Sequence, residues 1–202
     1  MTAETIPHFD TSKSDTLKGD SLKGAILIAM PDMADPRFNR GVIVMLEHGA
    51  EGAMGVMINK PLEAVQFSDL LEQLEITATD DHEIDYPVYF GGPVEIGRGF
   101  VLHSADVMLA HSLKLAPIGV TTSLDMLSHI AHGNGPAKSI FCLGYTGWSA
   151  GQLDEEMKQN IWLHTNIDIS LLFDIPAEER WDQAMKLAGI DPDFLSSDAG
   201  HA

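Results

Sequence analysis

The pentapeptide Gly147-Trp148-Ser149-Ala150-Gly151 matches the pattern G-x-S-x-G, the strongest sign of enzymatic chemistry in the chain. In hydrolases this pattern places a nucleophilic serine on a sharp turn between a strand and a helix, and the sequence predicts a strand before it and a helix after it. Two observations weigh against a nucleophile. The predicted strand ends near Gly144, several residues before the serine. Among the histidines that follow the serine in the sequence, only His164 lies outside the polar C-terminal tail.

A second role for Ser149 follows from its position before a predicted helix. Ser149 and Gln152 have the spacing of a capping box, and the three carboxylates at 154–156 favour the positive end of the helix dipole. The sequence therefore predicts that the Ser149 hydroxyl accepts a hydrogen bond from the backbone N–H of Gly151 or Gln152. A serine hydrolase built on Ser149 is the alternative.

Cationic side chains are scarce, so their positions carry information. The chain has four arginines, and three of them, Arg37, Arg40 and Arg98, lie near Lys60 and the pair Gly91-Gly92 in sequence order. Guanidinium groups bind phosphate and carboxylate in pairs of hydrogen bonds, and backbone N–H groups of a glycine turn add to such a site. The alternative is structural pairing with nearby carboxylates, namely Asp32, Asp35, Glu47 and Glu95. The residues predicted to bind a small anionic ligand are Arg37, Arg40, Lys60, Gly91, Gly92 and Arg98.

No metal or cofactor site is predicted. His129 and His132 are three residues apart on a predicted helix, but no third ligand is within reach in the sequence. The glycine loop after Gly144 fits neither the dinucleotide-binding nor the P-loop pattern. Cys142 lies within the apolar run IFCLG, which indicates a buried and inert thiol rather than a redox sensor.

The overall charge limits the partners. Twelve basic and thirty acidic residues among 202 give a formal charge of −18. Such a chain is repelled by nucleic acid and by anionic membrane surfaces, so direct binding to either is not expected. The sequence has a single cysteine, no apolar signal region and no apolar run long enough for a membrane helix, which together indicate a cytoplasmic protein.

Short apolar runs bounded by turn residues predict buried strands. The predicted strands are Gly24–Met30, Val42–Leu46, Gly55–Ile58, Pro87–Phe90, Arg98–Ser104, Val120–Thr122 (as an edge strand), Lys138–Tyr145 and Ile161–Asn166. Helices are predicted after Ser68, over 123–132, over 150–160 and from Pro176, whereas 168–173 fits a strand or a helix. The strands occur in adjacent groups, which favours an α+β fold with a mixed, strongly curved sheet flanked by helices.

The predicted organisation is a single domain over residues 21–195. Residues 1–20 are polar and predict a flexible tail, and residues 196–202 predict a disordered one.

Four blocks of sequence together carry a family resemblance: LKGAILIAMPDMADPRFNRGVIVMLEH, GAMGVMINKPL, VYFGGPVEIGRGFVLHS, and GYTGWSAGQLDEEMKQNIWL with LLFDIPAEERWDQAMKLAGI. In their order and density they resemble the YqgE/AlgH family of bacterial proteins over about residues 22–195. The resemblance implies one α+β domain with a barrel-like sheet and no settled catalytic activity or cofactor. Some members carry a transcription-regulator label, but no helix-turn-helix is evident in this chain.

These observations predict a cytoplasmic binding or regulatory protein without catalysis. It would act through a protein partner or a small anionic ligand near the three arginines. The alternatives are the Ser149 hydrolase and a transcriptional regulator that acts through protein contacts. The identity of the partner and the formation of a homodimer stay open.

Overall fold

The computed structural model describes residues 21–78 and 86–192. In these residues the fold is built on one curled sheet of nine strands. The strands are β1 (Ala25–Ala29), β2 (Val42–Gly49), β3 (Gly52–Met57), β4 (Val88–Phe90), β5 (Val94–Ser104), β6 (Leu113–Leu115), β7 (Ile118–Thr121), β8 (Ser139–Ser149) and β9 (Trp162–Asn166). The helices are α1 (Phe67–Gln73), α2 (Leu124–Ala131), α3 (Gln152–Lys158), α4 (Ile169–Phe173) and α5 (Arg180–Leu187). The predicted α+β fold with a strongly curved sheet is confirmed. Both predicted tails lie outside the described residues.

The sheet has the strand order β6-β7-β5-β8-β3-β2-β1-β9, with antiparallel neighbours throughout. The short strand β4 lies off this path and pairs with β8 in parallel, which makes the sheet mixed, as predicted. The prediction that Val120–Thr122 forms an edge strand is wrong. Strand β7 lies between β5 and β6, because the unassigned segment before it supplies β6.

Strand β8 belongs to both halves of the sheet. Residues up to Leu143 pair with β4 and β5, whereas Thr146–Ser149 pair with β3. Between these two parts Gly144 has φ +75°, a conformation that glycine adopts without the strain of a side chain. Gly144 therefore bends β8 and does not end it, which corrects the prediction from sequence.

Both faces of the central strands are buried. Ile26 and Ile28 face one apolar cluster, which α4 and α5 cover, and Leu27 and Ala29 face a second cluster with Trp148 and Trp162. Because side chains alternate across a strand, burial on both faces requires a continuous apolar run, which β1 has.

Two helix starts differ from the prediction, and one ambiguous segment is resolved. Gln66, not Ser68, precedes the first residue of α1. Pro176 lies in the turn before α5, which begins at Arg180. The ambiguous segment 168–173 forms helix α4, because the Asp168 carboxylate accepts a hydrogen bond from the Leu171 N–H at 2.8 Å and caps its first turn. Among the described residues no helix is long and apolar enough to cross a membrane.

Helix α5 is fixed to the sheet through Trp181. Its side chain is 4% exposed within the main core, and its indole N–H donates to the Ala29 carbonyl at 2.8 Å. Trp181→Ala should lower the free energy of unfolding by about 3–5 kcal/mol, the usual range for truncating a buried aromatic side chain. Leu187→Ala on the exposed side of the same helix is the control. A urea melt in which Trp181→Ala changes stability by less than about 1 kcal/mol would contradict this docking.

Candidate functional site

A groove of about 770 Å³ lies between the loop that follows β1 and the second half of β8. The loop lines it over residues 30–38, and Pro93 and Val94 lie on another side. The remaining wall is formed by α3 and by the turn that leads into β9. We call this cavity the tryptophan groove, after the Trp148 and Trp162 side chains in its wall.

The Glu156 carboxylate joins the elements around the groove. Its Oε2 atom accepts the indole N–H of Trp148 at 2.9 Å and that of Trp162 at 2.7 Å. Its Oε1 atom accepts the Gln152 amide at 2.9 Å. One carboxylate on α3 therefore positions side chains from β8, α3 and β9, and it satisfies two indole donors that are otherwise costly to bury.

The aromatic side chains form a rigid wall. The Trp148 and Trp162 rings meet edge to face with centroids 5.9 Å apart, and Phe38 meets Trp162 in the same way at 6.0 Å. Both indoles are almost completely buried. Such edge-to-face pairs add to the stabilisation from burial alone, so the wall is formed before any ligand arrives.

The lining of the groove is acidic on balance. Its charged residues are Asp32, Asp35, Glu156 and Arg37. Arg37 pairs with Asp35 at 2.6 Å, and this hydrogen bond holds the pKa of the Asp35 carboxyl below its ordinary value. Asp32 is exposed, and its carboxylate has no hydrogen bond or ion pair among the described residues. One arginine against three carboxylates leaves a net negative charge.

The other two arginines of the predicted site have partners of their own. Arg40 pairs with Asp182 on α5 at 2.6 Å and stacks over Trp181, whose ring centroid is 4.2 Å away. Arg98 pairs with Glu95 at 3.2 Å. Of the three arginines, only Arg37 lines the groove. The pairs of Arg37 with Asp35 and of Arg98 with Glu95 match the structural-pairing alternative, whereas Asp182 is a partner that the sequence did not suggest for Arg40. The convergence of the three side chains on one ligand stays a prediction.

Lys60 lies close to Arg40 and, through Phe90, next to the glycine pair Gly91 and Gly92. Burial lowers the pKa of the Lys60 ammonium, and the neighbouring Arg40 charge lowers it further. Its carbonyl accepts the N–H of Phe90 at 2.7 Å. The Gly91 N–H donates to the Leu143 carbonyl at 2.7 Å, so the sheet already occupies it.

Gly92 packs directly on the backbone of Tyr145, where a side chain would collide with it. This close approach gives the glycine pair a structural reason to be present. A ligand-binding role for Lys60, Gly91 and Gly92 stays a prediction.

Arg180, the fourth arginine, has no part in the predicted site, yet it is the buried one, at 3% exposed. Its guanidinium donates to the carbonyls of Ile58 and Ile175 and lies 5.1 Å from the centroid of the Tyr89 ring. These contacts join α5 to the end of β3. Its position in an amphipathic helix gave no signal of burial, because charged residues usually occupy the exposed face.

Ser149 has a different local role from the predicted cap. It is the last residue of β8, and the residue before α3 is Gly151, with φ +72°. The Ser149 hydroxyl donates to Gln152 Oε1 at 3.1 Å, and its backbone N–H donates to the same oxygen at 3.0 Å. The Gln152 half of the capping box is therefore present. The predicted bond from a helix N–H to the serine hydroxyl is wrong, because the chain turns at Gly151.

Within the part of the chain that the structure describes, the surroundings of Ser149 lack the base of a serine hydrolase. Its position at the strand end does suit a nucleophile, yet among the described residues no imidazole bonds to its hydroxyl. His164 lies on β9, and three strands separate β9 from β8. His48 accepts the Leu22 N–H at 3.0 Å and lies 3.4 Å from Asp154, so both of its ring nitrogens have other partners.

Cys142 and His103 are two buried groups that lie outside the groove. Cys142 is fully buried, and burial raises the pKa of its thiol, so the predicted unreactive thiol fits its surroundings. His103 on β5 is also fully buried, with Nε2 at 2.9 Å from the Thr121 hydroxyl on β7 and Nδ1 at 2.9 Å from the Ser104 carbonyl. Nδ1 must carry the proton donated to that carbonyl, so Nε2 accepts from Thr121.

The sequence motifs assign roles to Arg37 and Gln152 of the groove lining, but they assign no binding role to Trp148, Trp162 or Glu156. In the sequence Trp148 belongs to the serine motif, and Glu156 is one of three carboxylates near the start of a predicted helix. A usable signal was present. Gln152 and Glu156 are four apart on one helix, a spacing that places them on one face between two tryptophans.

Glu156→Ala should leave two nearly buried indole donors without an acceptor. We expect the free energy of unfolding to fall by at least about 1 kcal/mol, since each unsatisfied buried donor costs about 1–3 kcal/mol. The matched control is Glu155→Ala on the same helix, because that side chain is exposed and pairs only with Lys158 at 3.3 Å. Urea melts compare the two variants, and equal small losses would show that Glu156 does not organise the groove.

His103 should make stability depend on pH. Burial, partly offset by the Ser104 carbonyl and the Asp106 charge, lowers the pKa of His103. The contribution of neutral His103 to the free energy of unfolding is complete above about 6.5, the pKa of histidine in the unfolded chain. It is lost as the pH falls below that value, because only the unfolded chain then binds a proton readily at this histidine. Urea melts between neutral and mildly acidic pH should show a steeper loss for the wild type than for His103→Gln. Parallel slopes would contradict this assignment.

Comparison with known proteins agrees with the fold and with the sequence motifs. The family model described as AlgH-like matches residues 26–193. A UPF0301 protein from Bradyrhizobium is 47% identical over 188 residues, covering 89% of this chain and 87% of its own. A UPF0301 protein from Rhodospirillum rubrum is 48% identical over 180 residues, covering 89% and 93%.

Two solved structures share the fold. The solution structure of the AlgH protein from Pseudomonas aeruginosa is 42% identical, with a TM-score of 0.74 over 93% of this chain and 100% of that one. A crystal structure of a Corynebacterium diphtheriae protein, 19% identical, has a TM-score of 0.66 over 86% and 90%, which shows the fold alone. With the family model and these relatives covering nearly all of the described chain, the protein belongs to the AlgH-like (UPF0301) family, as its sequence blocks predicted.

Proposed function

We propose that the protein is a cytoplasmic, non-catalytic binding protein that receives part of a protein partner in the tryptophan groove. The observation that carries this proposal is the groove itself, a cavity of about 770 Å³ with a wall of interlocked aromatic rings. Preformed concave sites with apolar walls and a few fixed polar groups are where proteins bind ligands. Regulation through such contacts needs no reaction.

A protein partner fits this groove better than a small anion does. An anion needs cations that are free to receive it, whereas Arg37 is already paired with Asp35 and shares the groove lining with two further carboxylates. Arg40 and Arg98 also have their own carboxylates. Filling a groove of this size with a flexible anion would add repulsion from Asp32 and Glu156 to the cost of desolvating the ligand.

Catalysis by Ser149 receives no support from its contacts. The Ser149 hydroxyl donates to an amide oxygen, and an amide cannot act as a general base for a nucleophile in the way that histidine does. The absence of a bonded imidazole among the described residues leaves that serine with a local structural role.

The proposal is tested by capture of partners with charge-matched variants. The groove variant combines Asp32→Lys and Gln159→Lys, at two exposed lining positions. The control combines Glu63→Lys and Gln66→Lys, which make the same change in charge near α1, away from the groove. Each protein is immobilised, and the proteins that it retains from a lysate of the producing organism are quantified by mass spectrometry.

We expect at least one protein to be retained by the wild type and by the control but lost from the groove variant. Positive side chains on the groove rim would repel or obstruct the partner, whereas the control preserves the groove. Identical retention by all three proteins would refute the proposed site, as would losses shared equally by both variants, since those would reflect the overall charge alone.

A further inference from the structure

The groove adjoins a free edge of the sheet. Strand β9 is the last strand in the sheet order, with β1 as its only neighbour among the described strands. Trp162, at the beginning of β9, lines the tryptophan groove. Two residues further along, about 7 Å on a strand, His164 is exposed on the same strand.

The backbone of this edge points outward at alternate residues. The Met30 N–H donates to the Ile161 carbonyl at 3.0 Å, which fixes which residues of β9 bond to β1. Because bonded pairs alternate along antiparallel strands, Leu163 and Thr165 face β1, whereas the N–H and C=O groups of His164 and Asn166 face away from it. No described residue bonds to those outward groups.

The opposite edge of the sheet is protected and β9 is not. Strand β6 has three residues, carries Lys114 and is followed by Pro117, all of which discourage pairing with another strand. Strand β9 has five residues, WLHTN, with no lysine, proline or carboxylate. An unprotected edge beside a preformed groove is suited to the addition of a strand.

We propose that an extended, basic segment of a protein partner pairs with the β9 edge and places a cationic side chain in the tryptophan groove. The main-chain bonds of His164 and Asn166 would hold the segment, and Asp32 and Glu156 would face its cation. This inference rests on the proposed function and specifies the chemistry of the partner.

Charge decides which segment can occupy the edge. The groove has one arginine against three carboxylates, in a chain of net charge −18, so a basic segment is attracted both at long range and on contact. A second copy of the chain would bring another −18. The chain's own segments outside the described residues are acidic as well. Residues 1–20 hold four acidic and two basic side chains, and residues 193–202 hold two acidic and no lysine or arginine.

The first experiment selects peptides of about ten residues from a random library on the wild-type protein, with counter-selection on the Asp32→Lys and Gln159→Lys variant. We expect the selected sequences to be rich in arginine or lysine and poor in proline. In labelled protein, the best peptide should shift the amide resonances of His164 and Asn166 and the indole N–H resonances of Trp148 and Trp162. The chain has three tryptophans, so the indole of Trp181, which lies in the main core, is an internal control.

The second experiment tests the main-chain bonds. Two versions of the selected peptide are N-methylated at alternate residues, one in each register. Only one register should weaken binding, by about tenfold, because only alternate N–H groups of an added strand face β9.

Variants of the protein complement these peptides. His164→Pro removes the outward N–H while the bonds to β1 remain, so it should weaken binding by a similar factor. His164→Ala keeps the outward N–H and removes only the imidazole, so His164→Pro should weaken binding more than His164→Ala does. Proline is tolerated at an edge position whose N–H faces solvent, and the Trp181 indole resonance reports whether the fold is kept.

Three results would overturn the inference: selected peptides that are acidic or neutral, equal binding of both methylated peptides and the parent, or a library that yields no groove-dependent binder. None of these results determines whether the capture experiment finds a partner that depends on the groove. A partner lost only from the groove variant would then leave the proposed function standing with a different mode of contact.

Discussion

The bend of β8 at Gly144 is the constraint on which both the sheet and the groove depend. A straight strand of this length would keep one set of neighbours, but β8 pairs with β4 and β5 before the bend and, from Thr146 onward, with β3. The exchange curls the sheet and directs the second half of the strand toward α3. Trp148 and Ser149 owe their positions to it. A side chain at residue 144 would collide with the backbone of Gly92, in the turn between β4 and β5, so the bend depends on the close approach of this turn to β8.

Glu156 extends that constraint into the site. A partly buried carboxylate loses some of its hydration, and here two indole N–H groups and one amide replace it. The arrangement links three elements that are separate in sequence, and it leaves little freedom for the tryptophan rings. A wall that is already ordered spares a partner the entropy of ordering it, so binding at the groove draws more affinity from each contact.

The sequence predicted the fold well because its signals are local. Apolar runs such as Ala25–Ala29 identify buried strands, and their grouping identifies the class of fold. The site was harder, because it depends on contacts between distant segments. Spacing along α3 relates Gln152 to Glu156, yet nothing in the sequence says that Trp162 reaches the same oxygen as Trp148. Arginine is rare in this chain, but its rarity does not distinguish a ligand site from a structural pair such as Arg40 with Asp182.

The pairing of the arginines also shapes how the surface acts at a distance. Arg37, Arg40 and Arg98 each form an ion pair with a nearby carboxylate. The remaining carboxylates give the chain its net negative charge. Such a field attracts a basic partner from beyond contact and speeds the encounter, but it is screened over about 8 Å at physiological salt. Shape and desolvation at the aromatic wall act only at contact and respond little to salt. Added salt should therefore lower the association rate constant of a groove-bound partner much more than it raises the dissociation rate constant. On this account the net charge sets the rate of encounter, and the tryptophan wall sets the lifetime of the complex.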